Sequence, residues 1–150
     1  MPKALILYQS QQLSMAQIQQ LDALLLELYN THVSPQKLLT IWNQVPPGQA
    51  FTNYQDSKSS LVTIECANGF PQHKRVGMLQ ALDTVWRAIT AQQPQELMLA
   101  LVEKDMFATL YQSNRKRLSR GGQIRFAWHI LRAAVQAKRA GTPLLINPNQ

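Results

Sequence analysis

The chain has one cysteine, Cys66, only three histidines, and no acidic residue after position 105. Each scarcity excludes something. A single cysteine forbids an intramolecular disulfide and suits a reducing compartment, so a cytoplasmic setting is expected. His32, His73 and His129 are scattered, with no Cys pair and no HxxxH spacing, so neither a metal nor another cofactor is expected. Apolar runs such as Ala23–Leu26 and Leu97–Val102 fall far short of the roughly 18 residues that cross a bilayer, so no membrane partner is expected. The first residues lack a basic stretch leading into a long apolar one, so no secretory signal is read there.

The 150 residues, 45% of them hydrophobic, suit one globular domain with a sizeable core. Charge is distributed unevenly. Residues 1–105 carry seven Lys/Arg against eight acids, whereas residues 106–150 carry eight Lys/Arg and no acid. The net charge of +7 is thus a property of the tail, and it points to an anionic ligand or surface there, or to solubility alone.

Read along the chain, Pro2–Tyr8 is a short apolar run suited to a buried strand. Ser14 is a good helix N-cap, and Ile18, Leu21, Leu25 and Leu28 follow at helical spacing until Pro35 ends the pattern. Lys37–Val45 reads as a second strand, "PPGQ" as a turn, and "AFTNY" as a short strand or hairpin arm. The pattern then restarts. Ser59–Ala67 is a strand rich in β-branched residues, and Pro71 sits near the start of a helix carrying Val76, Leu79, Leu82, Val85, Trp86 and Ile89. Glu96–Lys104 is the next strand. Two strand–helix–strand units imply an α/β (α+β) fold, a four-stranded sheet with two helices on one face and right-handed crossovers. The second sheet face then lacks a layer, which oligomerisation would supply. A third helix over Gln123–Ala140 places Ile124, Ala127, Leu131 and Val135 on one side, and "LLIN" can pair as a short edge strand.

Pro2 draws attention because initiator methionine is normally removed before proline, which would turn an amide nitrogen into a secondary amine. "MP" leading directly into a strand, the doubled unit and the overall length together resemble the tautomerase superfamily. That group contains 4-oxalocrotonate tautomerase, macrophage migration inhibitory factor, malonate semialdehyde decarboxylase and the cis-3-chloroacrylic acid dehalogenases. The segments "ALLLELYNTHVSPQKLLTIWNQVPPGQAF" and "TIECANGFPQHKRVGMLQALDTVWRAI" are similar to the first and second units of its fused oxalocrotonate-tautomerase-like branch. The resemblance divides the chain into a tautomerase-like domain over 1–112 and a basic loop and helix over 113–150 packed on the same domain.

The resemblance implies that Pro2 is a general base or acid acting on a small enol or 2-keto carboxylate, in a homotrimer of isomerases. Tyr29 falls where the dehalogenases place a catalytic histidine; its phenol either bonds substrate or finishes the apolar face of its helix. His32 either turns toward the same mouth or is an exposed loop residue, and Asn43 and Trp42 either line a pocket or belong to core and interface. Dehalogenase and decarboxylase relatives carry paired arginines before the second helix, but "CANGFPQHK" has none. Arg115, Arg117 and Arg120 are the replacement candidates for holding a carboxylate, unless "NRKRLSR" is only a solvated loop. A second reading has no catalysis: Arg125, Arg132 and Arg139, with Gln136, form a basic helical stripe opposite the apolar one that can lie on an anionic partner such as nucleic acid. In a third reading, that helix packs across the trimer.

Overall fold

The short apolar run at the start of the chain forms a strand whose burial alternates. In the computed structural model, which describes residues 1–116 and 120–146, β1 (Lys3–Gln9) buries Ala4, Ile6 and Tyr8 and turns Lys3 and Leu7 outward. Ser14 then starts α1 (Met15–His32) with a capping box: its Oγ accepts from the Gln17 amide at 3.2 Å, and Gln17 Oε1 accepts from the Ser14 amide at 3.0 Å. Ile18, Leu21, Leu25 and Tyr29 form the buried stripe of α1. β2 (Leu39–Val45) returns parallel to β1, completing the first unit. An exposed hairpin follows, β3 (Phe51–Thr52) and β4 (Gln55–Asp56), closed by Asn53 and Tyr54 with φ of 52° and 64°.

The second unit repeats the first. β5 (Ser60–Cys66) lies antiparallel to β1, α2 (Gln72–Thr90) starts after Pro71, and β6 (Leu97–Glu103) returns parallel to β5. Both helices cover the sheet face formed by Ala4, Ile6, Tyr8, Trp42, Val62 and Ile64. Trp42 and Trp86 stack at 5.8 Å between ring centroids, joining the two units through the core. Their indole N–H groups are satisfied by Asp22 at 2.9 Å and by Gln92 at 2.8 Å.

The sheet has five strands rather than four, in the order β6-β5-β1-β2-β7. β7 (Leu144–Ile146) pairs parallel to β2 on the edge. Two further helices intervene, α3 (Lys104–Lys116) and α4 (Arg120–Ala140). The sequence pattern missed α3 because it begins directly at the end of β6, with no turn residues between them. Its start is tied to the loop after β5, where the Asn68 side chain accepts from the Asp105 amide and donates to the Asp105 carboxylate.

The far face of the sheet is where the expectations most need correcting. Leu7 and Met98 stay exposed there, while α3 reaches only one end, burying Phe107 beside Lys3. On α4 the apolar side read from the sequence is outside: Ile124, Ala127, Leu131 and Val135 are all exposed, and so is Trp128. His129, Ile130, Ala133, Ala134 and Ala137 are half-buried instead. Small alanines let a helix approach closely, which leaves the bulky stripe uncovered. Arg125, Arg132 and Arg139 are exposed and border that stripe rather than opposing it. Among the described residues, no helix is long and apolar enough to cross a membrane.

Candidate functional site

Parallel pairing of β1 with β2 forces α1 to return the chain to the end of the sheet where β1 begins. The C-terminal turn of α1 and the loop after it therefore lie beside Pro2. The Leu39 amide donates to the Pro2 carbonyl at 2.9 Å, which fixes that residue on the parallel ladder. Pro2 is buried and Met1 is 70% exposed. An open cleft of about 520 Å³ adjoins them, with Met1, Leu26, Leu38 and Leu39 as its apolar wall. Asn30, Gln36 and Lys37 are its polar groups. Asn30 Oδ1 also accepts from the Gln36 amide at 3.1 Å and so holds the loop against the helix end.

Tyr29 is 1% exposed and lies on the buried side of α1. Burial pushes its phenol up from the ordinary value of 10.0, the charges of Cys66 and Glu65 add to that, and a hydrogen bond with the Gln36 side chain opposes it. Near neutral pH the hydroxyl therefore stays a donor. The β1–β5 register pairs Ala4 with Ile64. Continued outward, it sets Lys3 opposite Glu65 and Pro2 opposite Cys66. Cys66 is buried, and burial raises its thiol from 9.0; Arg75 works against that, while Glu103 and Glu65 add to it. Glu65 is 7% exposed, and its Oε2 has no hydrogen-bond partner among the described residues. Lys3 Nζ stands 3.6 Å from that oxygen.

Arg75, at the start of α2, is committed to the fold. Arg75 donates from Nε to the Phe70 carbonyl at 3.0 Å and from Nη1 to the Leu101 carbonyl at 3.2 Å, and it pairs with Glu103. It closes the loop between β5 and α2 and leaves no fork for a substrate carboxylate.

The structure brings Pro2 and Tyr29 to one end of the sheet, with half-buried His32 in the last turn of α1 beside them. Asn43 is elsewhere. It pairs with Leu7, four residues along β2 from the Lys3–Leu39 rung, and shares the sheet face opposite the helices. Trp42 belongs to the core. Arg117 lies outside the described residues; Arg115 and Arg120 fall within α3 and α4, but their side chains are outside the description as well. Sequence reasoning passed over Glu65, Lys37, Asn30 and Gln36. The signal for Glu65 was an acid inside "LVTIEC", a strand otherwise apolar or β-branched.

No protein-family model matches the chain, and no curated protein does. Solved structures do. The crystal structure of native Ps01740 has a TM-score of 0.64 and 21% identity, covering 67% of this chain and 92% of that one. N1, a member of the cis-3-chloroacrylic acid dehalogenase family, gives 0.62 and 10% over 67% of this chain and 73% of its own. A fused 4-OT solved as a symmetric trimer gives 0.58 and 12% over 67% and 84%. The fold is that of the tautomerase superfamily.

Proposed function

We propose that this chain, which has the tautomerase fold, is a tautomerase-like enzyme whose proton carrier is Pro2, freed by removal of Met1. The observation that carries the reading is position: Pro2 is buried at the start of the central strand, joined to Met1 and bonded by the Leu39 amide, both of which line an open cleft, and Tyr29 lies on the buried side of the facing helix. A secondary amine held in an apolar wall is disfavoured in its charged form, which brings it toward neutral-pH proton transfer. The substrate class is a small enol or 2-keto carboxylate. The free amine takes the enol hydroxyl proton and returns a proton to carbon, so the ketone forms without net gain or loss of atoms. The phenol of Tyr29 hydrogen-bonds the oxygen on which charge develops. Lys37, from the loop between α1 and β2, stands in the cleft as a cation for the substrate carboxylate.

The working unit in this proposal is a homotrimer, supported by the uncovered sheet face and by the fused 4-OT trimer among its structural neighbours. The test has two steps. Intact mass establishes whether Met1 is removed; a retained methionine leaves no amine and ends the reading. Phenylenolpyruvate and 2-hydroxymuconate are then assayed with wild type and Pro2→Ala. Ketonisation lost in the variant supports the proposal, and equal rates overturn it.

A second reading rests on a separate observation, the exposed Arg125, Arg132 and Arg139 on α4. There the chain is a non-catalytic binder of an anionic partner such as nucleic acid. Its mark is binding that weakens steeply with salt, and no binding to DNA or RNA at low salt removes it.

A further inference from the structure

A second cavity, of about 600 Å³, lies between α4, β7 and the C-terminal ends of β1 and β2. Tyr8 lines it, six residues along β1 from Pro2, which strand geometry converts to about 20 Å. Among the described residues, the two clefts share no lining residue. Its volume is within the usual range for a small-molecule site, about 300–1,000 Å³.

Its chemistry is specific. Tyr8, Gln44, His129, Arg132 and Gln136 line it, and among the described residues none of these side chains forms a hydrogen bond or ion pair. Tyr8 is 4% exposed, and its ring is fixed by an edge contact with Trp42 at 6.0 Å. Its hydroxyl is therefore a preorganised group with unused bonding capacity. Burial raises its pKa, so it is a phenol donor at neutral pH. Arg132 supplies a cation, and among the described residues no carboxylate lines the cavity. Ala133, Ala137, Pro143 and Leu145 add an apolar wall, the alanines leaving the space that larger side chains would fill.

We propose that this cavity binds a small organic anion. The carboxylate pairs with Arg132, the geometry to which a guanidinium fork is suited. The apolar body lies along Ala133, Ala137 and Leu145, and a polar substituent meets Tyr8 and Gln44. This site does not depend on chemistry at Pro2.

Benzoate is the probe, titrated into the full chain with ¹H–¹⁵N NMR as readout, and benzyl alcohol is the uncharged control. The expected result is saturable shifts clustered at Tyr8, Gln44, Arg132 and Thr142, at least about tenfold weaker binding in Arg132→Gln, and weaker binding by benzyl alcohol. Arg132 is an exposed helix residue, so the variant keeps the fold, and its spectrum verifies this. Tyr8→Phe keeps the ring and loses the hydroxyl, and about threefold to tenfold weaker binding is expected. The proposal is overturned if benzoate gives no saturable shift up to about 20 mM, beyond the range of useful fragment affinity. Shifts confined to the Pro2 end, or unchanged affinity in Arg132→Gln, overturn it equally.

Discussion

Lys3 Nζ stands 3.6 Å from Glu65 Oε2, across the central antiparallel ladder and one residue from Pro2. The pair is unequal. The Lys3 side chain is 47% exposed, whereas that of Glu65 is 10% exposed and its Oε2 has no hydrogen-bond partner among the described residues. Removing the ammonium leaves a buried carboxylate under-compensated, while removing the carboxylate returns Lys3 to water. Lys3→Met is therefore expected to destabilise by about 1–3 kcal/mol, and Glu65→Gln by less. Urea unfolding checks this through the midpoint, with the slope unchanged. The reverse order of the two variants would contradict the arrangement.

Lys37 is the cation in the cleft beside Pro2. Under the proposed function it attracts the substrate carboxylate in ground and transition states alike. Lys37→Ala should raise KM for 2-hydroxymuconate about tenfold, close to 1.4 kcal/mol, with kcat little changed. A loss confined to kcat would place the residue in the chemical step instead.

These two predictions differ in how far they were legible beforehand. The doubled unit was readable because the strands announced themselves as short apolar or β-branched runs and the helices by their start residues and spacing, as at Ser14 and Pro71. Pro2 and Tyr29 were named through the family resemblance. The cleft residues were not, because Asn30, Gln36 and Lys37 acquire meaning only when parallel pairing folds the end of α1 back onto Pro2. The place of Asn43 was not legible for the complementary reason: strand position says nothing about which face of the sheet a residue takes until a register is known. The apolar side of α4 was visible as a periodicity, but not that Ala133 and Ala137 would take the packed position.

Tyr8, Tyr29 and Cys66 share a consequence for alkaline stability. Burial is the leading cause that raises each, from 10.0 for the tyrosines and 9.0 for the thiol. The unfolded chain releases these protons first as pH rises, so the folded state is the more protonated one and loses stability. The contribution is complete below about pH 9 and is lost as pH climbs through the raised folded values. Tyr29→Phe should flatten part of that decline. Urea midpoints measured from pH 8 to pH 11 test it, and a decline as steep as in wild type would count against a buried, protonated Tyr29.

The exposed stripe on α4 bears on assembly. Ile124, Trp128, Leu131 and Val135 fall at helical spacing and are all exposed in the single chain, as are Leu7 and Met98 on the sheet. Replacing exposed side chains leaves the core untouched, so Trp128→Gln with Leu131→Gln should shift the thermal midpoint of an isolated subunit little. If copies of the chain cover this stripe, the same variant loses apolar area only in the assembly, at about 25 cal/mol per Å². The expected outcome is a wild-type chain that sediments as a multiple of 17.0 kDa and a variant that shifts toward the single-chain mass with its circular dichroism unchanged. Identical masses for the two proteins would mean that the stripe faces water in the assembly as well, and that any trimer is built on the sheet face alone.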